Sequence, residues 1–168
     1  MIYTTLNKIR VHAPYADGWA KLLRHLDKTQ ADDEPVSLLT ILDSNGLDDA
    51  LWCLRAVDGH QREMRLYAVW CARQVQHLMT DPRSVAALDV AERHADGQAT
   101  NAELSAASLA ARAAARDAEW DAAWAAAWDA ARAAAWDAAW AAAWDAAWAA
   151  ARAAQTTEFR RVFCGEEA

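Results

Sequence analysis

The sequence feature that most constrains the fold is an alanine-rich tract, from Arg112 to Arg152, in which tryptophan or arginine stands at every fourth position. The series is Arg112, Arg116, Trp120, Trp124, Trp128, Arg132, Trp136, Trp140, Trp144, Trp148 and Arg152. Alanine is the strongest helix former, and neither glycine nor proline occurs between Gln98 and Cys164. The tract therefore predicts one long helix.

The predicted ends of this helix have their own signals. Thr100 and Glu103 have the spacing of a capping box, and Gly165 can end the last turn. A continuous helix between them is roughly 95 Å long at about 1.5 Å per residue, whereas a compact fold of the preceding residues has a radius of gyration of about 13 Å. We therefore predict a compact all-helical domain at 1–99, a long Ala/Trp-repeat helix at 100–164 and a short tail at 165–168.

The tryptophans of the tract wind around the predicted helix instead of forming one narrow seam. Four residues turn an ideal helix by about 400°, so each repeat drifts by about 40° and the positions from Trp120 to Trp148 wind by roughly 280°. Because exposed indoles form a large apolar surface, we expect other copies of the chain, or alternatively the first hundred or so residues, to cover them. The residues predicted for self-association are Trp120, Trp124, Trp128, Trp136, Trp140, Trp144 and Trp148. The sequence leaves open whether the helix breaks near Arg132, and how many subunits assemble.

Charged residues limit the classes of partner. The aspartates of the tract are interpreted as solvating an apolar helix, with a cation site shared between chains as the alternative. They are Asp117, Asp121, Asp129, Asp137 and Asp145. Since an aspartate is costly at the centre of a bilayer, we expect no membrane insertion. The formal net charge is −7 and no basic patch stands out, so nucleic acid is not an expected partner.

The first hundred or so residues carry helix signals at short intervals. We predict helices that start after Thr5, at Asp17 and at Pro35, that follow the Asn45-Gly46 turn, that span Gln61 to Met79, and that run from Asp81-Pro82 to Gly97. The polar run from Lys28 to Glu34 is predicted to be a loop. No alternating β pattern of useful length is present. The predicted fold class is all-α, with short helices in hairpin succession before the long Ala/Trp-rich helix.

Catalytic and metal-binding motifs are missing from the sequence. The five histidines have no ligand spacing, and neither a glycine-rich phosphate loop nor a serine nucleophile elbow occurs. The three cysteines, Cys53, Cys71 and Cys164, lack C-x-x-C spacing, which suits a reducing cytoplasm, and no secretory signal is evident at the start. We therefore expect a cytoplasmic protein that is not an enzyme and that uses no cofactor or metal.

One cluster resembles a binding site and lies on two adjoining predicted helices with their turn. Its members are Trp52, Arg55, His60, Arg62, Arg65, Trp70 and Arg73. Arginine beside tryptophan can bind a carboxylate, a phosphate or a nucleotide base, and both residue types are enriched in protein interfaces. The alternative is a helical hairpin whose tryptophans are core residues and whose arginines are solvated.

The same region carries a resemblance to a known family. It rests on two runs, DGWAKLLRHLDKT from Asp17 to Thr29 and Ser44 to Gly97 with its phrases DALWCLRAV and WCARQVQHLMTDPRS. They resemble the small all-α immunity proteins of bacterial polymorphic-toxin systems, which also occur in phages and whose alanine-rich tails similarly carry tryptophan or arginine at every fourth position. The resemblance implies a non-catalytic protein that acts by binding, but it identifies neither a toxin nor an active residue.

Two hypotheses of function follow. The first is an immunity or phage counter-defence protein that neutralises a toxin or defence protein, or sequesters a small ligand, and that forms a homo-oligomer through its tryptophan helix. The alternative is a structural self-assembling protein, in which the repeat is the functional part and the preceding residues form a cap or spacer.

Overall fold

The protein is described by a computed structural model that covers the backbone of residues 1–129 and 137–165, and the side chains of 1–117 and 147–165. The chain is mainly helical, which confirms the predicted class. The helices are α1 (Leu6–Val11), α2 (Ala16–His25), α3 (Leu38–Asn45), α4 (Leu47–Cys53), α5 (Gln61–Gln74), α6 (Pro82–Ala95), α7 (Asn101–Asp129) and α8 (Asp137–Phe159). Short 3₁₀ turns follow α4 and α5 at Leu54–Ala56 and Gln76–Leu78, and a π-helical turn, Arg160–Cys164, follows α8.

A short antiparallel strand pair is the main departure from the predicted fold. Strand β1 (Tyr3–Thr5) pairs with β2 (Pro35–Ser37), with Thr4 opposite Val36. The predicted helix start at Pro35 is therefore wrong, because Pro35 lies in a strand. Instead Ser37 caps α3, and its hydroxyl oxygen accepts a hydrogen bond from the Thr40 amide at 3.0 Å. Three residues are too few for an alternating pattern to be visible in the sequence.

Three predicted helix starts are confirmed by their caps. The Thr5 and Asp81 side chains cap α1 and α6, and Thr100 and Glu103 form the predicted capping box at the start of α7. Two predictions are wrong. Asp17 lies in the first turn of α2 instead of capping it, and α5 ends at Gln74 instead of Met79.

The end of the repeat region also has the predicted stop, since Gly165 adopts a left-handed conformation with φ 70°. The question of a break near Arg132 lies outside the described residues.

The chain divides into two compact units. The first unit comprises Met1–Met64 and the segment that begins at Thr156, and the second comprises Arg65–Gln155. The boundary predicted between residues 99 and 100 follows the change in composition along the sequence instead of this division in space, and it stays a prediction.

The first unit has a core of large apolar side chains. Its fully buried members are Leu6, Ile9, Leu38, Ile41, Phe159 and Phe163. The rings of Phe159 and Phe163 lie 4.6 Å apart, and the Ile2 amide donates a hydrogen bond to the Phe163 carbonyl at 2.8 Å. Arg160 also forms an ion pair with Asp43 of α3. The end of α8 and the π-helical turn after it therefore pack into the same core as the first residues of the chain.

The second unit is held by packing between helices and by polar ties. Helix α6 packs along α7, and Arg83 of α6 reaches Asp117 of α7 at 2.6 Å. The Tyr67 hydroxyl donates to the Gln155 carbonyl at 3.0 Å, which ties α5 to α8. Within the described ranges, no helix has the length and apolarity needed to cross a membrane.

Candidate functional site

The members of the predicted cluster that belong to the first unit lie around the end of α4 and the start of α5. The Arg55 guanidinium stacks on the Trp52 ring, with its Cζ atom 4.3 Å from the ring centroid. Arg55 is exposed and Trp52 is half-buried. His60 Nδ1 lies 3.6 Å from Glu63 Oε2, and Arg62 is exposed on the first turn of α5. The predicted combination of arginine with tryptophan is thus present as a cation–π pair.

The remaining members, Arg65, Trp70 and Arg73, lie on the part of α5 that belongs to the second unit. The Arg73 guanidinium donates hydrogen bonds to Asp89 at 2.6 Å and Glu92 at 3.1 Å, and these carboxylates of α6 raise the pKa of Arg73. The charge of Arg73 is therefore already paired within the fold. A single binding site that uses all seven residues stays a prediction.

The tryptophan repeat is represented among the described side chains by Trp148. This side chain is 61% exposed, and Arg152 lies one turn further along α8 with its Cζ atom 5.5 Å from the Trp148 ring centroid. The two side chains thus form a cation–π contact at an i,i+4 spacing along the helix. The other residues predicted for self-association lie outside the described side chains: Trp120, Trp124, Trp128, Trp136, Trp140 and Trp144.

A second site, which the sequence does not predict, lies wholly within the first unit. We call it the aromatic slot, and it is lined by Tyr15, Trp19, Trp52, Asn45 and Asp49 together with apolar residues of α1 to α4. The empty space amounts to about 340 Å³ when the open mouth is included, of which about 30 Å³ is available to the centres of water-sized atoms. The inner part thus has room for one or two water-sized groups.

The tight turn between α3 and α4 positions the carboxylate of the slot. Gly46 joins the two helices with φ 95°, a conformation that favours glycine. Asn45 and Asp49 then lie on opposite sides of this turn, and Asn45 Nδ2 donates to Asp49 Oδ2 at 2.7 Å and to the Gly18 carbonyl at 2.8 Å. The Ser44 hydroxyl donates to Asn45 Oδ1 at 2.7 Å, so the amide is held from both ends.

Gly18 is needed at this site because of the close approach of Asp49. A Cβ atom at position 18 would lie 2.6 Å from Asp49 Oδ2, which is shorter than any normal contact. The half-buried carboxylate is therefore seated directly against the backbone of α2. Within the described part of the chain, no lysine or arginine nitrogen lies within 4.0 Å of Asp49.

Cys53 lines the same slot, and its surroundings favour the protonated thiol. Burial, and next the charge of Asp49, raise the pKa of Cys53 to about 12. A protonated thiol is a poor nucleophile and metal ligand. In the described ranges, no group of three or more histidine, cysteine, aspartate and glutamate side chains could hold a metal ion.

The sequence contains only weak signals for the slot. It predicts Trp52 as a binding residue, but Trp19 falls on an apolar helical stripe and Asp49 among the acids of a helix start. The four-residue spacing of Asn45 and Asp49 across Gly46 is the signal that could have linked the two polar residues. Nothing local indicates that Tyr15 and Trp19 join them, because this depends on how α2 packs against α3 and α4.

Comparisons with known proteins add no relative: no protein-family model, no curated protein and no solved structure matches the chain.

Proposed function

We propose that the protein is a non-catalytic, cytoplasmic binding protein of the immunity or phage counter-defence type. It neutralises a protein partner or sequesters a small ligand, and it forms a homo-oligomer through the tryptophan-repeat helix. The observation that carries the self-association is Trp148, a large aromatic side chain that is 61% exposed and belongs to a regular series. The binding role is supported by the resemblance of residues 17–29 and 44–97 and by the cation–π pair of the exposed Arg55 with the half-buried Trp52.

The argument for a second copy as the cover of Trp148 rests on repetition. Burial of the apolar surface of an exposed indole is favourable by about 25 cal/mol per Å². One such residue is ordinary on a soluble protein, but a series with a fixed four-residue period places the same chemical group at regular intervals along a helix. Another copy of the helix has tryptophans at the same four-residue period. Its side chains can therefore pack against each repeat in the same way.

The mass of the protein in solution tests this proposal. A chain cut before residue 100 is not suitable, because it would lack Phe159 and Phe163 of the first unit's core. We therefore compare the full chain with the full-length variant in which Trp140, Trp144 and Trp148 are replaced by alanine. Light scattering behind a sizing column is expected to show a defined oligomer for the natural chain and a smaller species for the variant. The control, Leu109→Ala, removes a side chain of α7 that is 65% exposed and is not in the series.

Two results contradict the self-association. One is a monomeric natural chain, and the other is an unchanged oligomer in the triple variant. The binding role has its own test, since co-purification from cells that make a candidate toxin or defence protein must give a complex and loss of toxicity. Full toxicity without a complex counts against it.

The alternative, a structural self-assembling protein, is favoured by the same exposed Trp148. Deletion of eight residues, which preserves the four-residue period, separates the two proposals. If the protein acts by binding, the deletion changes the size of the assembly while neutralisation is retained. If assembly is itself the function, activity and assembly are lost together.

A further inference from the structure

We infer that the aromatic slot is a binding site for a primary alkylammonium group, as carried by a lysine side chain or by a free alkylamine. The inference goes beyond the proposed binding role because it assigns a site and a ligand class. Its first support is the composition of the walls. Tyr15, Trp19 and Trp52 line the slot together with the carboxylate of Asp49. Aromatic faces attract cations, and a carboxylate among them provides the opposite charge.

The second support is the way in which Asp49 is held. Its Oδ2 atom accepts a hydrogen bond from the Asn45 side-chain amide at 2.7 Å and lies against the backbone at Gly18. These contacts fix the direction of the carboxylate but supply no positive charge. Since a half-buried carboxylate is stabilised by an ionised donor more than by an amide, the slot has an unmet preference for a cation.

The neighbouring cation–π pair affects how strongly the slot should bind a cation. Arg55 lies over the Trp52 ring at 4.3 Å and does not belong to the residues that line the slot. The Trp52 ring therefore already interacts with one cation from outside the slot. This contact holds the ring in place. The positive charge of Arg55 also weakens the attraction of the slot for a second cation. We expect Arg55→Gln to strengthen binding for this reason.

The size of the slot selects the kind of cation. Its inner space of about 30 Å³ for atom centres accommodates a compact ammonium group with its adjoining methylene. A guanidinium group is planar and broader, and it presents donors in a fixed fork. Apolar side chains also line the slot, among them Ile9, Leu22 and Ile41, and they suit the alkyl stem of a lysine side chain or an alkylamine.

The experiment is a saturation-transfer NMR titration of the full-length protein with n-butylammonium chloride. Binding is expected to be saturable and to weaken by about tenfold or more in Asp49→Asn, which keeps the acceptor for Asn45 but removes the charge. The matched control is Asp48→Asn, because Asp48 lies on the same turn of α4 and does not line the slot. This control should bind n-butylammonium as the natural chain does. Far-UV circular dichroism confirms that both variants are folded.

Two further probes test the specificity. 1-Butanol, which has the same stem without a charge, and n-butylguanidinium, which has the broader head group, are each expected to bind at least about tenfold more weakly. The inference is overturned by a lack of saturable n-butylammonium binding, by unchanged binding in Asp49→Asn, or by equal binding of either of these probes.

A last pair of probes separates the two sources of the ligand. Nα-acetyl-lysine methylamide imitates a lysine within a protein, and n-butylammonium imitates a free amine. Comparable binding of the two supports a lysine of a partner, and exclusive binding of n-butylammonium supports a free alkylamine. The proposed binding role and self-association do not depend on this result, because a protein that still oligomerises and neutralises a partner while failing to bind n-butylammonium overturns only the slot assignment.

Discussion

The two units of the protein bury very different side chains. In the first unit, large apolar residues such as Leu6, Ile41 and Phe163 are fully buried. In the second unit, the described side chains include only three buried hydrophobic residues, Tyr67, Val69 and Ala114, and ion pairs of Arg73 and Arg83 link its helices. Since apolar burial is the main source of folding free energy, the first unit gains more from this source than the described part of the second does.

The largest expected effect tests the core of the first unit. Phe163→Ala removes a fully buried ring that contacts Phe159, and it should lower the free energy of unfolding by about 3–5 kcal/mol. Urea denaturation followed by circular dichroism measures the change. Leu109→Ala of the second unit, at a position 65% exposed, should change the same quantity by less than about 0.5 kcal/mol. Equal losses of unfolding free energy in the two variants would contradict the difference in apolar burial between the two units.

A smaller effect concerns the support of the aromatic slot. Gly18→Ala introduces a Cβ atom 2.6 Å from Asp49 Oδ2, and we expect a loss of about 1–3 kcal/mol of unfolding free energy. The same substitution made in an Asp49→Ala background should be neutral or stabilising, since the clash is gone and alanine favours the helix. A loss of the same size in both backgrounds would show that Asp49 is not the cause.

The start of α7 provides a test within the second unit. Thr100→Ala removes the hydroxyl that accepts the Glu103 amide at 3.2 Å, and unfolding free energy should fall by about 1 kcal/mol. Thr80→Ala is the control, because Thr80 is exposed and the cap of the following helix, α6, is Asp81. Thermal unfolding of both variants measures the difference, and equal melting temperatures would contradict the role of the cap.

The same cap has a predicted pH dependence. Hydrogen bonds from the Thr100 amide and then its hydroxyl lower the pKa of Glu103 from its ordinary value of 4.5. A group with a lowered pKa contributes stability above its unfolded pKa and loses it as the pH falls through the folded one. The stabilising contribution of Glu103 should therefore be fully present above its ordinary pKa of 4.5 and be lost as the pH falls through its lowered pKa. A Glu103→Gln variant, measured by thermal unfolding from neutral to acidic pH, should show a smaller fall over this range.

The smallest effect is expected for the ion pairs of the second unit. Arg73→Gln removes bonds to Asp89 and Glu92, whose side chains are 59% and 51% exposed, so the loss should be only about 0.5 kcal/mol. Added salt should reduce this difference, because it screens exposed charges. Urea unfolding at low and high sodium chloride measures it, with Arg24→Gln of α2 as the control. A loss that is large and independent of salt would mean that the second unit depends on this charge as the first depends on its phenylalanines.

The features that could be predicted from the sequence are those that depend on a few residues close together in the chain. Thr100 and Glu103, or Asp81 and Pro82, specify a helix start because the capping atoms lie within one turn of each other. The stacking of Arg152 on Trp148 is local for the same reason. The all-α class follows from many such signals together.

The features that sequence reasoning misses depend on residues far apart in the chain. Proline favours the first turn of a helix, but pairing with residues 3–5 places Pro35 in a strand. The carboxylate of Asp49 has the position of an ordinary helix-start acid, and only the approach of Gly18 shows that it belongs to the aromatic slot. In the same way, Phe159 and Phe163 sit at the end of a helix in the sequence and in the core of the first unit in the fold.

The position of Phe163 has a consequence for the order of events during synthesis. Its carbonyl accepts a hydrogen bond from the amide of Ile2, so the first unit joins the beginning of the chain to a segment made about 160 residues later. Domains usually fold in the order in which they leave the ribosome. Here residues 1–64 lack two phenylalanines of their core until Phe163 has emerged. Residues 1–64 are therefore expected to reach their final packing only after the tryptophan repeat that precedes Phe163 has been made.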